Sequence, residues 1–195
     1  MVSRKDVAVD DSQLRETQLS SQVAFTGRMI TVEVDQVRMP DGREATREIV
    51  RHPGAVAVIA VVDGQILFVK QYRHAVGDVL LELPAGKLEI GETPLSCGQR
   101  ELEEETGMQA AHWTPLGKTV VSPGFTDEVI HLFRAEGLSD GTGLVHDADE
   151  FIAVERMTLS EALAAIDDGR IIDAKTQIAL LLTALPAANR SGVPV

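Results

Sequence analysis

Apolar and polar residues alternate along the first part of the chain, and this pattern predicts antiparallel β-strands. Turn-forming residues at 26–28 and 39–42 separate the alternating stretches, as in a meander of neighbouring strands. The outer strands of a meander have exposed edges, so this unit can pair with a partner. The alternating stretches are residues 20–25, 30–34 and 45–51.

Continuous apolar runs follow and predict strands that are buried on both faces. Ala55–Val62 is such a run, and an Asp63-Gly64 turn connects it to residues 66–71, so a buried β-hairpin is predicted here. Residues 137–149 are rich in Gly, Asp and Ser and are predicted to form a polar loop. The remaining predicted strands are residues 79–83, 114–121, 129–136 and 151–155.

Two helices are predicted after the last strand. Thr158 and Glu161 form a capping box, and Gly169 closes the helix that they begin. Asp173 caps another helix, which runs to about residue 185. Strands interleaved with one central and two terminal helices predict a mixed sheet covered on both sides, an α/β/α sandwich.

The central helix is predicted at residues 94–106. Thr93 is a good N-cap, Pro94 is tolerated in the first turn, and Gly107 suits a left-handed stop. The positions expected to face the core are Leu95, Gly98 and Leu102.

Three carboxylates crowd another face of this helix, because Glu101, Glu104 and Glu105 fall at i, i+3 and i+4. Like charges at this spacing destabilise a helix by about 0.2–0.5 kcal/mol per pair, and the single Arg100 cannot neutralise all three. A cluster of oxygen ligands favours a hard divalent cation, Mg²⁺ or Mn²⁺. The alternative is a solvated acidic helix face.

Composition narrows the possible partners. The net charge of −12 argues against nonspecific nucleic-acid binding, so an anionic substrate would be held by local arginines and metal. The 195 residues suit one well-buried core. The sole cysteine, Cys97, is expected to be a packing residue and fits a reducing cytoplasm. No secretory signal is visible, and the apolar runs fall short of the roughly 20 residues of a bilayer span, so no membrane role is expected.

The stretch from residue 86 to residue 108 resembles the Nudix box, G-x5-E-x7-R-E-U-x-E-E-x-G-U, where U is aliphatic. Flanking stretches resemble those of the ADP-ribose pyrophosphatase group: QYR at 71–73, LELPAG at 81–86 and SPGFTDE at 122–128. The residues that match the box are Gly86, Glu92, Arg100, Glu101, Leu102, Glu104, Glu105, Gly107 and Met108.

This resemblance implies an α/β fold, a Nudix-type α/β/α sandwich with a mixed β-sheet and an N-terminal antiparallel β unit. It also implies a homodimer, since the group pairs through the N-terminal region to complete its pockets. The expected boundaries are a tail at 1–19, dimerisation strands at 20–51, the Nudix hydrolase domain at 52–185 and a flexible tail at 186–195.

The implied activity is hydrolysis of a nucleoside diphosphate linked to a further group, with ADP-ribose cleaved to AMP and ribose 5-phosphate as the expected case. The resemblance implies that Glu101, Glu105 and the carbonyl of Ala85 ligate metal. Glu104 would be a further ligand or would orient water, and Arg100 would hold Glu104 or a neighbouring carboxylate.

In the group that the chain resembles, a glutamate in the loop after the sheet takes part in activating water, so the resemblance implies a general base in the loop before the last strand. Glu150 is the candidate because it precedes an apolar strand start, whereas Asp147 and Asp149 have shorter reach. The alternative is a solvated acidic loop, and Glu150 could instead bind a metal.

Arg73 is a candidate clamp on the phosphates, because guanidinium offers a bidentate fork to phosphate oxygens. Phe25 and Tyr72 are candidates to stack on the base, although core packing is favoured for Phe25. Further candidate substrate contacts are Arg47, Arg51, Glu82, Pro123 and Glu128.

Other functions remain open at this point. The same box could hydrolyse GDP-mannose, NADH or a dinucleoside polyphosphate on a different pocket. Another alternative is a catalytically inactive regulator that only binds nucleotide. The intact carboxylates and the strongly acidic chain argue against it. A purely structural protein would leave the carboxylate cluster unexplained.

Overall fold

The computed structural model describes residues 10–141 and 151–185. The candidate base Glu150, with Asp147 and Asp149, lies outside these residues. The described chain forms two compact units. One contains the residues up to His52 together with Ser122–Asp127, and the other contains Pro53–Val121 and the described residues from Glu128 onward.

The N-terminal unit contains the predicted antiparallel sheet, with strand order β1-β2-β3. A short 3₁₀ turn, Asp11–Leu14, precedes it, so ordered structure begins before the predicted start at residue 20. β1 pairs on one side only, and its side chains are exposed along its whole length because no other described layer covers its faces. Phe25 is therefore 56% exposed, and the expectation that it packs in a core is wrong. The strands are β1 (Thr17–Thr26), β2 (Thr31–Arg38) and β3 (Glu44–Arg51).

The second unit is built on a seven-stranded mixed sheet with the order β10-β5-β4-β9-β8, where β6 also pairs with β5 and β7 with β4. β4 and β9 are parallel, and the other pairs are antiparallel. The strands are β4 (Ala55–Val62), β5 (Gln65–Arg73), β6 (Asp78–Glu82), β7 (Ala85–Lys87), β8 (Met108–Val120), β9 (Val129–Asp140) and β10 (Ile152–Thr158). The helices are α1 (Pro94–Thr106), α2 (Leu159–Asp167) and α3 (Ala174–Ala184).

β4 separates two apolar cores, which makes this unit the predicted α/β/α sandwich. Successive strand side chains point to opposite faces, so Ala57 and Ile59 join the core beneath α2 and α3, while Val56 and Val58 join the core beneath α1. Both faces of β4 are covered, which explains its unbroken apolar sequence. No described helix has the length and apolar character needed to cross a membrane.

Local signals predicted the turns and helix ends correctly. Asp63 and Gly64 both have positive φ, 51° and 76°, as the tight turn between β4 and β5 requires. The side chain of Thr93 accepts a hydrogen bond from Ser96 N, and Gly107 ends α1 in the left-handed conformation. Thr158 and Glu161 form the predicted capping box.

The structure differs from the predicted elements in several places. Leu95 is 40% exposed, since the buried face of α1 is formed by Cys97, Gly98, Leu102 and Glu105 instead. The short strand β7 was not predicted. β9 continues to Asp140 and so includes the first residues of the predicted polar loop. These residues form a strand because their backbone groups pair with β8, although their side chains show no apolar alternation.

Candidate active site

The backbone between β6 and β7 is held closely on several sides. Pro84 O accepts from Val58 N at 2.9 Å, and the N–H of Leu83 donates to Thr176 Oγ1 at 2.9 Å. Two residues later, Ala85 N donates to Glu105 Oε2 at 2.9 Å. The peptide that carries the candidate metal ligand Ala85 is therefore fixed between the sheet and α1.

Gly86 lies where only glycine leaves enough room. A Cβ on this residue would lie 1.9 Å from Oε1 and 2.0 Å from Cδ of Glu101. The carboxylate of Glu101 thus packs directly against the backbone of residue 86, and this close approach explains the glycine in the motif.

Arg100 is the cation that organises the motif. Its Nη1 donates to Glu101 Oε1 at 2.8 Å and to Glu104 Oε2 at 2.9 Å, so the expected Arg100–Glu104 contact is present. Its Nε and Nη2 donate to the two oxygens of Glu92, each at 3.0 Å. The Arg100 guanidinium lowers the pKa of Glu92 to about 2, and the same contacts raise the pKa of Arg100.

The three carboxylates differ in their surroundings rather than sharing one solvated patch. Glu105 is 3% exposed and bonds to the backbone of Ala85, whereas Glu104 is partly exposed. Cys97 lies one turn before Glu101 and is buried, as expected for a packing residue. Burial raises the pKa of its thiol to about 12.

The donor set fits a hard divalent cation in its chemistry. Within residues 10–141 and 151–185, no three His, Cys, Asp or Glu side chains converge closely enough to hold one. Glu101 and Glu104 are directed toward Arg100, and Glu105 toward Ala85 N. Carboxylate and carbonyl oxygens are the ligands that Mg²⁺ and Mn²⁺ prefer, and an ionised carboxylate can accept several contacts at once.

A second charged cluster surrounds Glu82, which is 1% exposed. Arg73 Nε and Nη2 donate to its two oxygens at 2.7 and 2.9 Å, and Lys175 Nζ also donates to it. Burial alone would raise the Glu82 pKa, but the Arg73 hydrogen bonds and the Lys175 charge outweigh it and lower that pKa. Sequence reasoning missed Lys175, since no local motif marks it.

Comparison with known proteins now identifies the family. The family model of the NUDIX domain matches residues 50–176, and that of the nucleoside diphosphate sugar hydrolase N-terminal domain matches residues 16–50. This chain belongs to the Nudix family. The first match contains both charged clusters, and the second contains the β1–β3 sheet except for Arg51, its last residue.

Several relatives align with most of this Nudix chain. It is 44% identical over 171 residues to the ADP-ribose pyrophosphatase of Bacillus subtilis, with 86% of this chain and 91% of the relative aligned. It is 40% identical to the ADP-ribose pyrophosphatase of Mycobacterium tuberculosis, with 80% of this chain and 76% of the relative aligned. The methanol dehydrogenase activator of Bacillus methanolicus is 47% identical over 169 residues, aligning 85% of this chain and 90% of that protein.

A solved structure supports the Nudix fold. A crystal structure of an ADP compounds hydrolase superposes with a TM-score of 0.78 and aligns 87% of this chain with 93% of that one. At 23% sequence identity, this likeness concerns the fold alone.

The two candidate arginines of the N-terminal unit already have carboxylate partners. Arg47 pairs with Glu16 across the unit. Arg51 Nε donates to Glu33 at 2.7 Å and its Nη1 donates to Asp127 Oδ2 at 3.2 Å. Both guanidinium groups are partly exposed, so ion pairing does not remove them from solvent.

The other predicted contacts lie on or near the surface. Pro123 is exposed in the segment 122–127, which Val50 N anchors by donating to Phe125 O at 2.7 Å. Glu128 is half-buried just before β9 in the Nudix domain. Tyr72 is exposed beside Arg73, with its ring centroid 6.4 Å from that of His74.

Proposed function

We propose that this Nudix pyrophosphohydrolase cleaves ADP-ribose to AMP and ribose 5-phosphate in a reaction that requires a divalent cation. The observation that carries the proposal is the identity of 40–44% to two ADP-ribose pyrophosphatases, with at least three quarters of each chain aligned. The complete Nudix box, including Glu101, Glu104 and Glu105, supports hydrolysis over nucleotide binding without turnover.

In this reaction a water oxygen bonds to one phosphorus of the pyrophosphate while the bond from that phosphorus to the bridging oxygen breaks. Glu101, Glu104, Glu105 and the carbonyl of Ala85 would hold Mg²⁺ or Mn²⁺. When bound, the cation neutralises phosphate oxygens and thereby favours approach of the nucleophile.

Other side chains position the metal ligands and contact the substrate. Arg100 holds Glu101 and Glu104 in place, and Gly86 leaves room for Glu101. Arg73 bonds to Glu82 through Nε and Nη2, so Glu82 leaves Nη1 for a phosphate oxygen. The other proposed substrate contacts are Arg47, Arg51, Pro123 and Glu128, with Tyr72 or Phe25 stacking on adenine.

Product analysis tests the substrate. Purified protein is incubated with ADP-ribose, GDP-mannose, NADH or a diadenosine polyphosphate, each with Mg²⁺, Mn²⁺ or a chelator, and products are separated by chromatography. ADP-ribose should be consumed fastest, and only with a cation. Survival of ADP-ribose while GDP-mannose is consumed would reject the substrate assignment. Nucleotide binding without turnover of any compound would favour the regulator.

Glu150 is proposed as the general base for water. Glu150→Gln should lower kcat by roughly 10²–10⁴-fold and leave KM largely unchanged, since a positioned base contributes about that much. Asp147→Asn and Asp149→Asn are the matched controls and should retain most activity. A Glu150→Gln enzyme within a few-fold of wild type would eliminate this residue.

We further propose a homodimer that associates through β1. This strand carries exposed apolar side chains at Leu19, Val23 and Phe25, and one of its edges is unpaired within the described residues. We also place the protein in the cytoplasm, which its single buried thiol supports. Cell fractionation would test this location, and recovery outside the cytoplasm would contradict it.

A further inference from the structure

Lys175 is a nearly buried cation that the proposed reaction does not use. Its side chain is 14% exposed, its Nζ donates to Glu82 Oε2, and the same Nζ forms an ion pair with Asp173 Oδ1 at 3.0 Å. Arg73 binds the same buried carboxylate of Glu82 through Nε and Nη2. Glu82 therefore lies between a cation of β5 and a cation of α3.

The first turn of α3 also holds the backbone that follows Glu82. Asp173 caps the helix by accepting from Thr176 N at 2.9 Å. The fully buried Thr176 accepts from Leu83 N at 2.9 Å through its hydroxyl. One helical turn thus contacts both the Glu82 side chain and the peptide two residues before Ala85.

Lys175 affects how the Glu82 carboxylate is oriented. The negative charge of a buried carboxylate must be compensated by a cation. If Arg73 were the sole cation, the position of its guanidinium would be set by the Arg73–Glu82 pair alone. Lys175 binds Oε2 from α3 and so restricts the orientation of the carboxylate plane. The bidentate geometry then transmits this orientation to Arg73.

We infer that Lys175 is a positioning residue for pyrophosphate binding, which it supports by orienting Arg73 through Glu82. The inference rests on the proposed function in one respect, because it takes Arg73 as a phosphate contact. The probe for the experiment is ADP, a nucleoside diphosphate that can bind without turnover.

The primary variant is Lys175→Met, which keeps much of the length and removes the charge. We expect the Kd for ADP, measured by calorimetry in metal-free buffer, to rise roughly tenfold, which corresponds to a loss of about 1.4 kcal/mol in binding free energy. KM for ADP-ribose should rise by a similar factor while kcat changes less, because a binding contact is weakened. Lys175→Arg should restore most of the affinity.

Lys70→Met is the matched control. Lys70 is also paired with a glutamate, Glu155, but it lies on an exposed part of β5. Its replacement should change neither the Kd for ADP nor KM. Thermal unfolding of every variant distinguishes lost positioning from lost folding.

A double-mutant cycle tests whether Lys175 acts through Glu82. On a Glu82→Gln background, Lys175→Met should leave the Kd for ADP unchanged. An unaltered Kd for ADP in the single Lys175→Met variant would overturn the inference. An equal rise of the Kd on the wild-type and Glu82→Gln backgrounds would also overturn it, and so would a wild-type protein that binds no ADP. If Lys175→Met does not fold, Lys175→Arg and Lys175→Gln are compared instead, and equal Kd values for ADP in these two variants would also overturn it.

These measurements separate the inference from the proposed function. If ADP-ribose is not hydrolysed but Lys175→Met still weakens ADP binding through Glu82, the substrate assignment fails and the positioning role stands. If hydrolysis is normal and ADP binding is insensitive to Lys175, only the positioning role fails.

Discussion

Replacing Gly86 by alanine should disable the active site without unfolding the protein. The added Cβ would lie 1.9 Å from Glu101 Oε1, whereas ordinary contact begins at 3.4 Å. The carboxylate must therefore retreat by about 1.5 Å, the difference between these two distances. A misplacement of about 1 Å can reduce a rate about 10²-fold, so we expect kcat/KM for ADP-ribose to fall by about that factor.

Folding should survive because the atoms displaced belong to the end of a flexible side chain. The φ angle of Gly86 also lies outside the left-handed region, so alanine introduces no backbone strain. Steady-state kinetics with Mg²⁺ and thermal unfolding, measured on one preparation, separate the two effects.

Gly98→Ala is the matched control. Its Cβ would meet Val56 Cγ1 at 3.2 Å and Trp113 Cζ3 at 3.3 Å on the buried face of α1, and none of the three nearest atoms belongs to a carboxylate. This variant should lose some stability and keep kcat/KM per folded molecule. Gly86→Ala with wild-type kinetics would refute the argument that Glu101 needs its observed place, and equal losses of activity in both variants would reduce the effect to general crowding.

Three further predictions concern charge and assembly. Glu105→Gln should lower kcat roughly 10²–10³-fold, the range for losing one preorganised electrostatic group, with metal-free thermal stability equal or higher; loss of activity through unfolding would contradict this. Arg100 lowers the folded-state pKa of Glu92 from 4.5 to about 2. The ionised Glu92 therefore stabilises the folded protein fully above pH 4.5, and this stabilisation is lost as the pH falls toward 2. Urea unfolding should thus show Glu92→Gln less stable than wild type at pH 7 and closer to it at pH 3, whereas the exposed control Glu89→Gln should match wild type at both; a gap independent of pH would refute the linkage. Phe25→Asp should convert a dimer into a monomer in sedimentation equilibrium, and a wild-type monomer that stays fully active at high dilution would reject the dimer.

The elements that could be predicted from sequence are those governed by neighbouring residues. A cap such as Thr93, a stop such as Gly107 and the positive φ angles of Asp63-Gly64 depend on interactions within a few positions. β7 and the end of β9 could not be predicted, because their residues are strands only by virtue of partners far away in the chain. The exposure of Phe25 likewise depends on what covers β1, which alternation cannot specify.

The same division runs through the active site. The spacing of Glu101, Glu104 and Glu105 predicted that they lie close together on α1, because residues three and four apart on a helix are neighbours. The match of the whole stretch to the Nudix box, which the family model bears out, then predicted the chemistry. The burial of Glu105 arises only when α1 packs on the sheet, where its carboxylate accepts a hydrogen bond from Ala85 N of β7. The contact between Lys175 and Glu82 joins residues 93 positions apart, so it arises only when α3 folds back onto the sheet. Sequence alone determined which groups carry charge, and the tertiary structure determined which of them are desolvated and paired, because these depend on contacts between distant parts of the chain.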